Sequence, residues 1–488
     1  MADTLKILHV AAEMTPLLST GGLAEVVNAL PKAQRLQGHD VRVAMPCYKG
    51  IPAENRGEQV AACTARMGGN TVHGALRRAT APETGLPLYL VEHEGFFGRE
   101  QPYGHEFGEY GDNAERFCFF CLALLDSLPA TGWIPDVVNC HDWQTGALPM
   151  AIKTTFANHP GWGGTPVIYT IHNLNYQGRF GADQFPYTGL EPSLYSSDCL
   201  EYFGDINLMK GAITKADKLN TVSPRYAQEV QTAEYGAGLD GVLRGRAQDL
   251  QGILNGIDYD VWSPAVDQRL PAQFDKDDLA GKRVCKSDLQ AVFGLPGEDV
   301  PLFGVVSRLT WQKGIDLLVD ALEYLKEEPF QLVLLGTGEQ WLENRILTAS
   351  QHYPDKIRVI LRYDSTTAHK IVAGADFFLM PSRYEPCGLS QMYSLAYGTI
   401  PIVRRTGGLA DSVKDISRVN ERNGDANGLV FTPSTPQALA RSMRRALQLY
   451  ATPAHLHRLR MCGMQEDFSW NRTCVDYLNL YRQALGTA

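Results

Sequence analysis

The sequence Thr-Gly-Gly-Leu-Ala occurs twice in this chain, at residues 20–24 and 406–410, and an acidic residue, Glu25 or Asp411, follows each copy. Each copy lies after an apolar run that ends in turn residues and before a stretch with helical periodicity. The first turn of a helix has unpaired N–H groups and a partial positive charge, and glycine lets a phosphate approach the backbone. The sequence therefore predicts a glycine-edged helix start in each half of the protein. For either copy alone, a tight strand-to-helix turn without a ligand is an equally good interpretation.

Composition restricts the class of protein. With 488 residues, 44% of them hydrophobic, the chain is long enough for two or three domains. The formal net charge of -9 argues against a nucleic-acid partner, because nucleic-acid-binding proteins usually carry a basic surface. The longest apolar run, residues 117–125, is far shorter than the roughly 18 residues that span a membrane, and no signal-peptide pattern opens the sequence. We therefore expect a cytoplasmic protein without a membrane partner; the oligomeric state does not follow from the sequence.

The cysteines and acidic residues do not form a metal-binding pattern. The chain has ten scattered cysteines, and the close pair Cys118 and Cys121 lies in an apolar helical run with no second pair nearby. Such residues are typical of buried core thiols. The sequence has no His-Glu-x-x-His motif and no acidic cage spacing, so we expect a mechanism without a metal.

Short β-rich runs alternate with amphipathic stretches, which is typical of βα units on parallel sheets. We therefore predict an α/β protein with two doubly wound, Rossmann-like domains. The predicted strands are 6–12, 41–45, 88–92, 137–140, 167–171 and 218–222 in the first half and 302–306, 331–335, 358–361, 377–380, 400–403 and 429–431 in the second. The predicted helices include 23–37, 113–127, 146–156, 315–327 and 470–485.

The boundary between the domains is predicted near residues 255–274, which are rich in Pro, Asp and Gly. This gives domains of residues 1–255 and 256–488, with the helix at 470–485 packing back toward the first domain. Ligands of doubly wound sheets bind beyond the carboxyl ends of the strands. Two such sheets facing each other would form an interdomain cleft, which is where we expect the ligand.

Two polar clusters follow predicted strands in the first half. Residues 139–144 read Asn-Cys-His-Asp-Trp-Gln and offer acid–base groups with an aromatic face for a sugar. The alternative is a helix N-cap by Asp142 beside a buried Trp143. Residues 170–178 contain His172 among Asn, Tyr, Gln and Gly, a composition that favours a ligand-binding loop over a structural histidine.

Two further clusters follow predicted strands in the second half. Residues 307–314 place Arg308 and Lys313 beside a helix start. The two cations could bind a diphosphate, because the planar guanidinium of arginine can form two parallel hydrogen bonds and the ammonium of lysine is a compact charge. A surface charge pair is the alternative. In residues 383–391, Glu385 precedes a proline and is held extended, ahead of a glycine that opens a helix. This setting makes Glu385 our first catalytic candidate, although a solvated loop carboxylate is an alternative. The Gly-Thr-Gly turn at 336–338 lacks the rest of a dinucleotide-binding motif.

Seven of these segments occur in one order along the chain: residues 17–27, 141–143, 172–178, 255–258, 307–314, 385–391 and 404–411. In order and spacing they resemble the bacterial glycogen synthase and plant starch synthase family over about residues 5–480. The resemblance implies the GT-B fold and transfer of glucose from a nucleotide sugar, ADP-glucose in bacteria, to the non-reducing end of an α-1,4-glucan with retention of configuration. It implies ADP-glucose and α-1,4-glucan as partners and no cofactor.

The resemblance also assigns roles to individual residues. Glu385 would lie beside the reacting carbon of the donor glucose, His172 would hydrogen-bond that sugar, and Asp142 would lie on the acceptor side. Arg308 and Lys313 would bind the diphosphate. The other residues implied at the donor site are Tyr363 at the nucleobase, Gly21, Gly22, Asn255, Cys387, Gly388, Leu389, Thr406, and Gly407, Gly408 and Leu409 as a backbone element.

One residue departs from the family pattern. The first glycine motif of the family usually begins Lys-Thr-Gly-Gly-Leu-Ala-Asp, with the lysine at the donor phosphates, whereas this chain has Ser19 and Glu25 at the matching positions. Serine can donate one hydrogen bond but carries no charge. We therefore expect a weaker nucleotide-sugar site, or one in which another cation replaces the lysine.

Two other functions stay open at this point. The chain could be a related GT-B transferase that uses UDP-glucose or a small acceptor, or a catalytically silent glucan-binding homologue in which Ser19 marks decay. The presence of Glu385, His172, Arg308 and Lys313 argues against the silent homologue. A Rossmann dehydrogenase is poorly supported, because the full glycine fingerprint and its downstream acid are missing.

Overall fold

The computed structural model describes residues 4–105 and 108–486. The chain divides into two compact units. Unit one comprises Met1–Val222, Ala227–Ile253 and Trp470–Ala488, and unit two comprises Ser223–Tyr226 and Leu254–Ser469. The last segment of the chain therefore belongs to unit one, whereas a single division at residue 255 would keep it in the second domain.

Unit one is built on a mostly parallel sheet. Its strands in chain order are β1 (Lys6–Val10), β2 (Asp40–Pro46), β3 (Glu58–Met67), β4 (Asn70–Thr80), β5 (Pro87–Glu92), β6 (Gly104–His105), β7 (Gly108–Glu109), β8 (Val137–His141), β9 (Val167–Ile171), β10 (Arg179–Phe180), β11 (Glu201–Tyr202), β12 (Asp205–Asn207), β13 (Lys218–Thr221) and β14 (Leu250–Gly252). Its helices are α1 (Gly22–Leu36), α2 (Glu94–Phe97), α3 (Asn113–Ser127), α4 (Ala147–Lys153), α5 (Leu208–Lys215), α6 (Pro224–Glu229, which begins in unit two), α7 (Asp240–Gly245) and α17 (Trp470–Leu485).

Within the described residues the main sheet of unit one has the strand order β14-β13-β9-β8-β1-β2-β5-β4-β3. All neighbours are parallel except that β4 runs antiparallel to β3 and β5. The order of strands along the chain reverses between β1 and β8, and ligands of doubly wound sheets bind at such a switch point. Loops that follow β1 and β8 are therefore the favoured positions for function.

The central strands of unit one are buried because helices cover both faces of a parallel sheet. Strand β8 is buried along its whole length, and so is β9. Helices α1 and α17 share one hydrophobic core cluster with strands β1, β2, β8 and β9. From α17 the cluster takes Trp470, Cys474, Tyr477, Leu478, Leu480 and Tyr481.

Unit two has a second parallel sheet, with the order β17-β16-β15-β18-β19-β20 in the described part of the chain. Its strands are β15 (Leu302–Val306), β16 (Gln331–Leu335), β17 (Ile357–Ile360), β18 (Phe377–Met380), β19 (Ile400–Arg404) and β20 (Leu429–Phe431). Its helices are α8 (Ala280–Phe293), α9 (Ile315–Leu322), α10 (Gln340–His352), α11 (Ser365–Gly374), α12 (Ser390–Ala396), α13 (Gly407–Ser412), α14 (Arg418–Asn423), α15 (Pro436–Tyr450) and α16 (Pro453–Gln465). The switch point lies between β15 and β18, which pair in parallel.

The predicted α/β fold with two parallel sheets is confirmed, and several predicted strand bounds, such as 167–171 and 302–306, agree with the structure. Two predictions were wrong in detail. The helix predicted over 315–327 ends at Leu322, and the helix predicted over 146–156 covers Ala147–Lys153. The prediction also lacked the hairpin of β3 and β4.

Candidate active site

In unit two, a lysine and a glutamate meet at the switch point of the sheet. Lys313 lies in the loop after β15, and Glu385 lies in the loop after the neighbouring strand β18. The Nζ atom of Lys313 donates to Oε2 of Glu385 at 2.6 Å, and the hydroxyl of Ser382 donates to the same oxygen at 2.9 Å. The Glu385 side chain is 6% exposed and that of Lys313 is 20% exposed. A partly buried ion pair therefore lies where this fold places its ligands.

A glycine allows the two loops to approach each other closely. Gly314, directly after Lys313, has φ +67°, and a Cβ atom at this position would come within 2.2 Å of the Pro381 carbonyl oxygen. Only glycine meets both conditions without strain. Gly314 thereby fixes the distance between the loop that carries Lys313 and the loop that carries Glu385.

The other two donor-site candidates of this edge are exposed. Arg308 is exposed and has no ion pair within residues 4–105 and 108–486. Tyr363, which follows β17, is 70% exposed. The Gly-Thr-Gly turn after β16 packs on the loop after β15, since a Cβ at Gly336 would lie 1.8 Å from the Ser307 carbonyl oxygen. The glycine is required by this close packing, which explains the motif without a dinucleotide.

The second copy of the Thr-Gly-Gly-Leu-Ala motif, at residues 406–410, packs directly against the Glu385 loop. A Cβ at Gly407, where φ is +42°, would lie 1.9 Å from the Glu385 carbonyl oxygen, and a Cβ at Gly408 would lie 2.2 Å from the Cys387 carbonyl oxygen. The N–H of Gly408 donates to the carbonyls of Glu385 and Pro386, both at 3.2 Å. These glycines allow two stretches of backbone to touch, and this contact positions Glu385.

This packing corrects part of the backbone-donor prediction for the second copy. Thr406, Gly407, Gly408 and Leu409 are all buried. Besides the bond of Gly408 described above, the N–H of Leu409 donates to the Thr406 carbonyl at 3.1 Å. The amides of Gly408 and Leu409 therefore have protein acceptors and are not presented to a ligand in this structure.

Next to Glu385, the loop continues through buried Cys387 to Gly388, which has φ +71°, and Leu389, which precedes α12. Burial raises the pKa of Cys387 to about 12, so this thiol is neutral. The backbone N–H of Asn255 donates to Cys387. The Asn255 side chain is buried, and its Oδ1 atom has no hydrogen-bond partner in the part of the chain that the structure describes. Buried amide oxygens are normally paired, so this atom can accept a bond from a ligand.

In unit one, Asp142 and His172 follow the neighbouring strands β8 and β9. Oδ1 of Asp142 accepts the backbone N–H of His172 at 2.7 Å, and the carboxylate also accepts the N–H of Asn173. Asp142 occupies the N-cap position of the short 3-10 helix Trp143–Thr145, but its side chain makes no capping hydrogen bond, so the capping interpretation was wrong. Its φ of +56° is rare for a residue with a side chain and is typical of functional loops. Trp143 is buried, as that interpretation expected.

Burial shifts the titration of both side chains. It raises the pKa of Asp142 to about 7, against the stabilising effect of the two backbone N–H groups. It lowers the pKa of His172 to about 3, so the imidazole is neutral. Unit one therefore presents a carboxyl group that titrates near neutrality beside an uncharged histidine.

The first copy of the Thr-Gly-Gly-Leu-Ala motif, at residues 20–24, begins with residues that are exposed to solvent, in contrast to the buried second copy. Ser19, Thr20, Gly21 and Gly22 are exposed, and nothing lies within 4 Å of a Cβ built on Gly21. The amides of Gly21 and Gly22 have no hydrogen-bond partner among the described residues. This copy therefore offers free N–H groups at the start of α1, which the second copy does not.

Sequence reasoning missed a carboxylate that shapes the first glycine loop. Glu13 is 3% exposed and accepts the hydroxyl of Thr20 at 2.7 Å, its backbone N–H at 2.5 Å, and the hydroxyl of Tyr103. An acidic residue between strand β1 and a glycine loop was the available signal. Ser382, which holds Glu385, was also missed, and its position three residues before Glu385 gave little indication.

Among residues 4–105 and 108–486, no helix combines the length and apolar character needed to cross a membrane. The same residues contain no group of three or more His, Cys, Asp or Glu arranged to hold a metal ion. All ten cysteines lie within the described ranges and are free thiols.

Two family models match the chain. The starch synthase catalytic domain matches residues 6–245, and glycosyl transferases group 1 matches residues 290–460. A glycogen synthase from Moorella thermoacetica is 44% identical over 487 residues, which are 99% of this chain and 98% of that protein. A glycogen synthase from Geobacter metallireducens is 45% identical over 98% of both chains.

Solved structures support the same assignment. The catalytic domain of starch synthase IV from Arabidopsis thaliana, solved with ADP and acarbose, is 35% identical, with a TM-score of 0.91 and coverage of 99% of this chain and 100% of that one. Sucrose-phosphate synthase from Thermosynechococcus elongatus, at 18% identity and a TM-score of 0.61, shares the fold. The GT-B fold is thereby confirmed, and the chain belongs to the glycogen and starch synthase family of glycosyltransferases.

Proposed function

We propose that this chain transfers glucose from ADP-glucose to the non-reducing end of an α-1,4-glucan with retention of configuration, and that Glu385 and Lys313 act at the reacting sugar and its diphosphate. The observation that carries the proposal is the Lys313–Glu385 ion pair of 2.6 Å at the switch point of unit two. Ligands of this fold bind at that point, and the pair joins a cation to a carboxylate there.

Lys313 has capacity left for the diphosphate. An ammonium group has three donor hydrogens, and Lys313 uses one of them on Glu385, with no other partner among the described residues. Arg308 adds an exposed guanidinium that follows the same strand. A charge-assisted hydrogen bond contributes about 1.5–3 kcal/mol, so two such cations can stabilise a departing nucleotide diphosphate.

Glu385 has one oxygen left for the sugar. Oε2 accepts the hydrogen bonds from Lys313 and Ser382, whereas Oε1 has no partner within residues 4–105 and 108–486. Oε1 can therefore accept a hydrogen bond from a hydroxyl group of the donor glucose or stabilise positive charge at its reacting carbon. The packing of Gly407 and Gly408 on this loop holds the carboxylate in place.

Unit one supplies the other groups of the proposal. His172 would hydrogen-bond the donor sugar, and Asp142 would contact the acceptor. A carboxyl group with a pKa of about 7 suits hydrogen bonding with a sugar hydroxyl in either protonation state. The free N–H groups of Gly21 and Gly22 can donate hydrogen bonds to the oxygens of the donor phosphates.

For the chemical step we propose attack from the face of the leaving group. The bond between the acceptor oxygen and the anomeric carbon forms as the bond from that carbon to the phosphate oxygen breaks, and the acceptor proton passes to the departing phosphate. Lys313 neutralises the charge that develops on the diphosphate. The ion pair with Lys313 lowers the nucleophilicity of Glu385, which favours this route over a covalent intermediate.

The choice of ADP-glucose is supported by the starch synthase IV domain, whose structure was solved with ADP. Incorporation of radiolabelled glucose into glycogen from ADP-glucose and from UDP-glucose tests it. We expect efficient incorporation from ADP-glucose and at least tenfold less from UDP-glucose. A preference for UDP-glucose would contradict the donor assignment, and binding of glycogen without release of ADP would show a silent homologue.

We also propose that the protein acts in the cytoplasm. The ten free thiols support this, because structural disulfides are typical of proteins in oxidising compartments. Fractionation of the source cells with an antibody against the chain tests the proposal.

A further inference from the structure

Three buried histidines of unit one form a continuous chain of hydrogen bonds that ends at His172. His172 Nε2 and His141 Nδ1 are 2.9 Å apart, and His141 Nε2 and His9 Nδ1 are 3.0 Å apart. His9 Nε2 lies 2.7 Å from Oε1 of Gln34. The chain therefore runs from the loop after β9, across the ends of β8 and β1, to helix α1. We call His172, His141, His9 and Gln34 the histidine relay.

The far end of the relay fixes the orientation of the Gln34 amide. Nδ2 of Asn139 donates to the Cys140 carbonyl at 3.4 Å and contacts the Thr170 hydroxyl at 2.8 Å, so Oδ1 of Asn139 faces Tyr481. Because an amide oxygen only accepts, the Tyr481 hydroxyl donates to it at 2.7 Å. The same hydroxyl then accepts from Nε2 of Gln34 at 3.3 Å, which leaves Oε1 of Gln34 facing His9.

The orientation of Gln34 determines the proton on each imidazole. Burial lowers the pKa of His9 to about 4 and of His172 to about 3, and it holds the pKa of His141 well below its usual range. All three rings are therefore neutral, and each has one N–H donor and one bare acceptor nitrogen.

The donor and acceptor nitrogens of each imidazole therefore alternate in one direction along the relay, from Gln34 to His172. Oε1 of Gln34 requires a proton on Nε2 of His9, so Nδ1 of His9 is bare and accepts from Nε2 of His141. Nδ1 of His141 is bare in turn and accepts from Nε2 of His172. The proton of His172 is thereby directed into the protein. Its Nδ1 atom is left as an acceptor, with no partner among the described residues.

We propose that Gln34, His9 and His141 are positioning residues that fix the tautomer of His172, so that Nδ1 of His172 accepts a hydrogen bond from a hydroxyl group of the donor hexose. The inference rests on the proposed function for its ligand. If the histidines served only to pack the core, changes at Gln34 would leave the tautomer of His172 unchanged.

Nuclear magnetic resonance of the full-length protein labelled with ¹⁵N-histidine tests the relay without any substrate. Long-range ¹H–¹⁵N spectra distinguish the two neutral tautomers and the charged ring, and His172→Ala, His141→Ala and His9→Ala spectra assign the signals. We expect all three rings to carry the proton on Nε2 near neutral pH. A proton on Nδ1 of His172, or a charged ring in the relay, would overturn the proposal.

Two variants test whether Gln34 controls the tautomer. Gln34→Met keeps the size of the side chain but removes the acceptor, and Tyr481→Phe removes the hydroxyl that orients the amide. We expect both variants to give a mixture of tautomers at His172, and Gln34→Met to lower kcat/KM for ADP-glucose by about tenfold. Tyr477→Phe is the control, because Tyr477 is fully buried on the same helix and lies outside the relay. An unchanged His172 signal in both variants would refute the role of Gln34.

Analogues of ADP-glucose test the direction of the bond to the sugar. Each sugar hydroxyl is replaced in turn by hydrogen or by fluorine, which cannot donate a hydrogen bond, and dissociation constants are measured for the wild type and His172→Ala. At the hydroxyl that contacts His172, we expect both replacements to weaken binding equally, and His172→Ala to abolish the difference from ADP-glucose. Binding retained by the fluoro analogue would show that His172 donates. Failure of ADP-glucose itself to bind would overturn the proposed function and the sugar contact, while the tautomer measurement still decides the relay.

Discussion

At the scale of single residues, the departure at Ser19 has a structural context. Ser19 is exposed, and the neighbouring Thr20 is held by Glu13. The glycine loop is thus ordered by hydrogen bonds that do not involve residue 19. A side chain at this position is therefore free to extend toward a ligand without disturbing the loop.

Ser19→Lys should raise kcat/KM for ADP-glucose by about tenfold, which corresponds to about 1.4 kcal/mol. The physical reason is a charge-assisted contact with the donor phosphates in place of a neutral one. Steady-state kinetics at low salt measures the effect, and Ser19→Met controls for the length of the side chain. Equal kinetics for the three proteins would show that the site does not need this cation.

Among the structural elements, the two copies of the Thr-Gly-Gly-Leu-Ala motif have different structures. Gly21 has extended backbone at the start of the fifteen-residue helix α1, and space lies around it. Gly407, the matching residue of the second copy, has φ +42° and packs on the Glu385 loop at the start of the six-residue helix α13. The first copy is open to a ligand, and the second supports a catalytic candidate.

This difference predicts opposite tolerance to the same substitution. Gly407→Ala should destabilise unit two by about 2 kcal/mol or more and reduce activity, because its Cβ would overlap the Glu385 carbonyl oxygen in a strained backbone conformation. Gly21→Ala should change stability by less than about 0.5 kcal/mol. Thermal unfolding and glucose incorporation measure both effects. Equal damage by the two variants would refute the structural difference between the copies.

The buried histidines at the strand ends of unit one should make the folded protein less stable in acid. Below about pH 6.5 the unfolded chain protonates its histidines, whereas His9, His141 and His172 stay neutral in the folded protein, because burial lowers their pKa values. The unfolded state then binds more protons, and each histidine lowers the stability by up to about 1.4 kcal/mol per pH unit as the pH falls. Asp142, with its pKa raised to about 7, acts in the opposite sense between about pH 7 and pH 4.

With three histidines against one carboxyl group, we expect the free energy of unfolding to fall between about pH 7 and about pH 5. Asp142→Asn should be more stable than the wild type above pH 7, since it removes a buried charge, and its stability should fall more steeply in acid. Urea unfolding at several pH values measures both. A stability that does not change across this range would contradict neutral buried histidines.

The elements were largely predictable because parallel strands buried on both faces are continuous apolar runs, such as 331–335 and 377–380. Strands β3 and β4 were missed because they are half exposed and rich in small residues. The Gly68-Gly69 pair between them, with φ +55° and +78°, was a hairpin signal. The histidine relay was not predictable, since its hydrogen-bonded neighbours are 25 to 132 residues apart in sequence and only the fold brings them together.

At the scale of the whole molecule, the chain returns to unit one with α17. Within unit one, this helix buries Trp470, Tyr477 and Tyr481 in a core that includes α1. The amphipathic pattern of residues 470–485 predicted the helix. Which surface it covers depends on tertiary packing, and the expected interdomain cleft stays a prediction.

Removal of residues 470–488 should unfold unit one. Burial of a large apolar side chain contributes about 1.5–3 kcal/mol, and the loss of several is comparable to the whole stability of a typical domain, about 5–15 kcal/mol. Limited proteolysis and circular dichroism measure the loss, with deletion of residues 486–488 as the control. A truncated chain that melts like the full one would show that α17 is dispensable.

If the Lys313–Glu385 pair acts on the donor, loss of Lys313 should affect catalysis far more than loss of another paired lysine in unit two. Lys370 is a matched control: its side chain is 22% exposed and pairs with Asp288 at 2.9 Å, and that of Lys313 is 20% exposed and pairs with Glu385 at 2.6 Å. The measurement is kcat/KM for glucose transfer from ADP-glucose to glycogen. Lys313→Ala should lower it by about a hundredfold or more, as expected for loss of a charge at the leaving group, and Lys370→Ala by less than about twofold. Similar values for the two variants would show that the Lys313–Glu385 pair does not act on the donor.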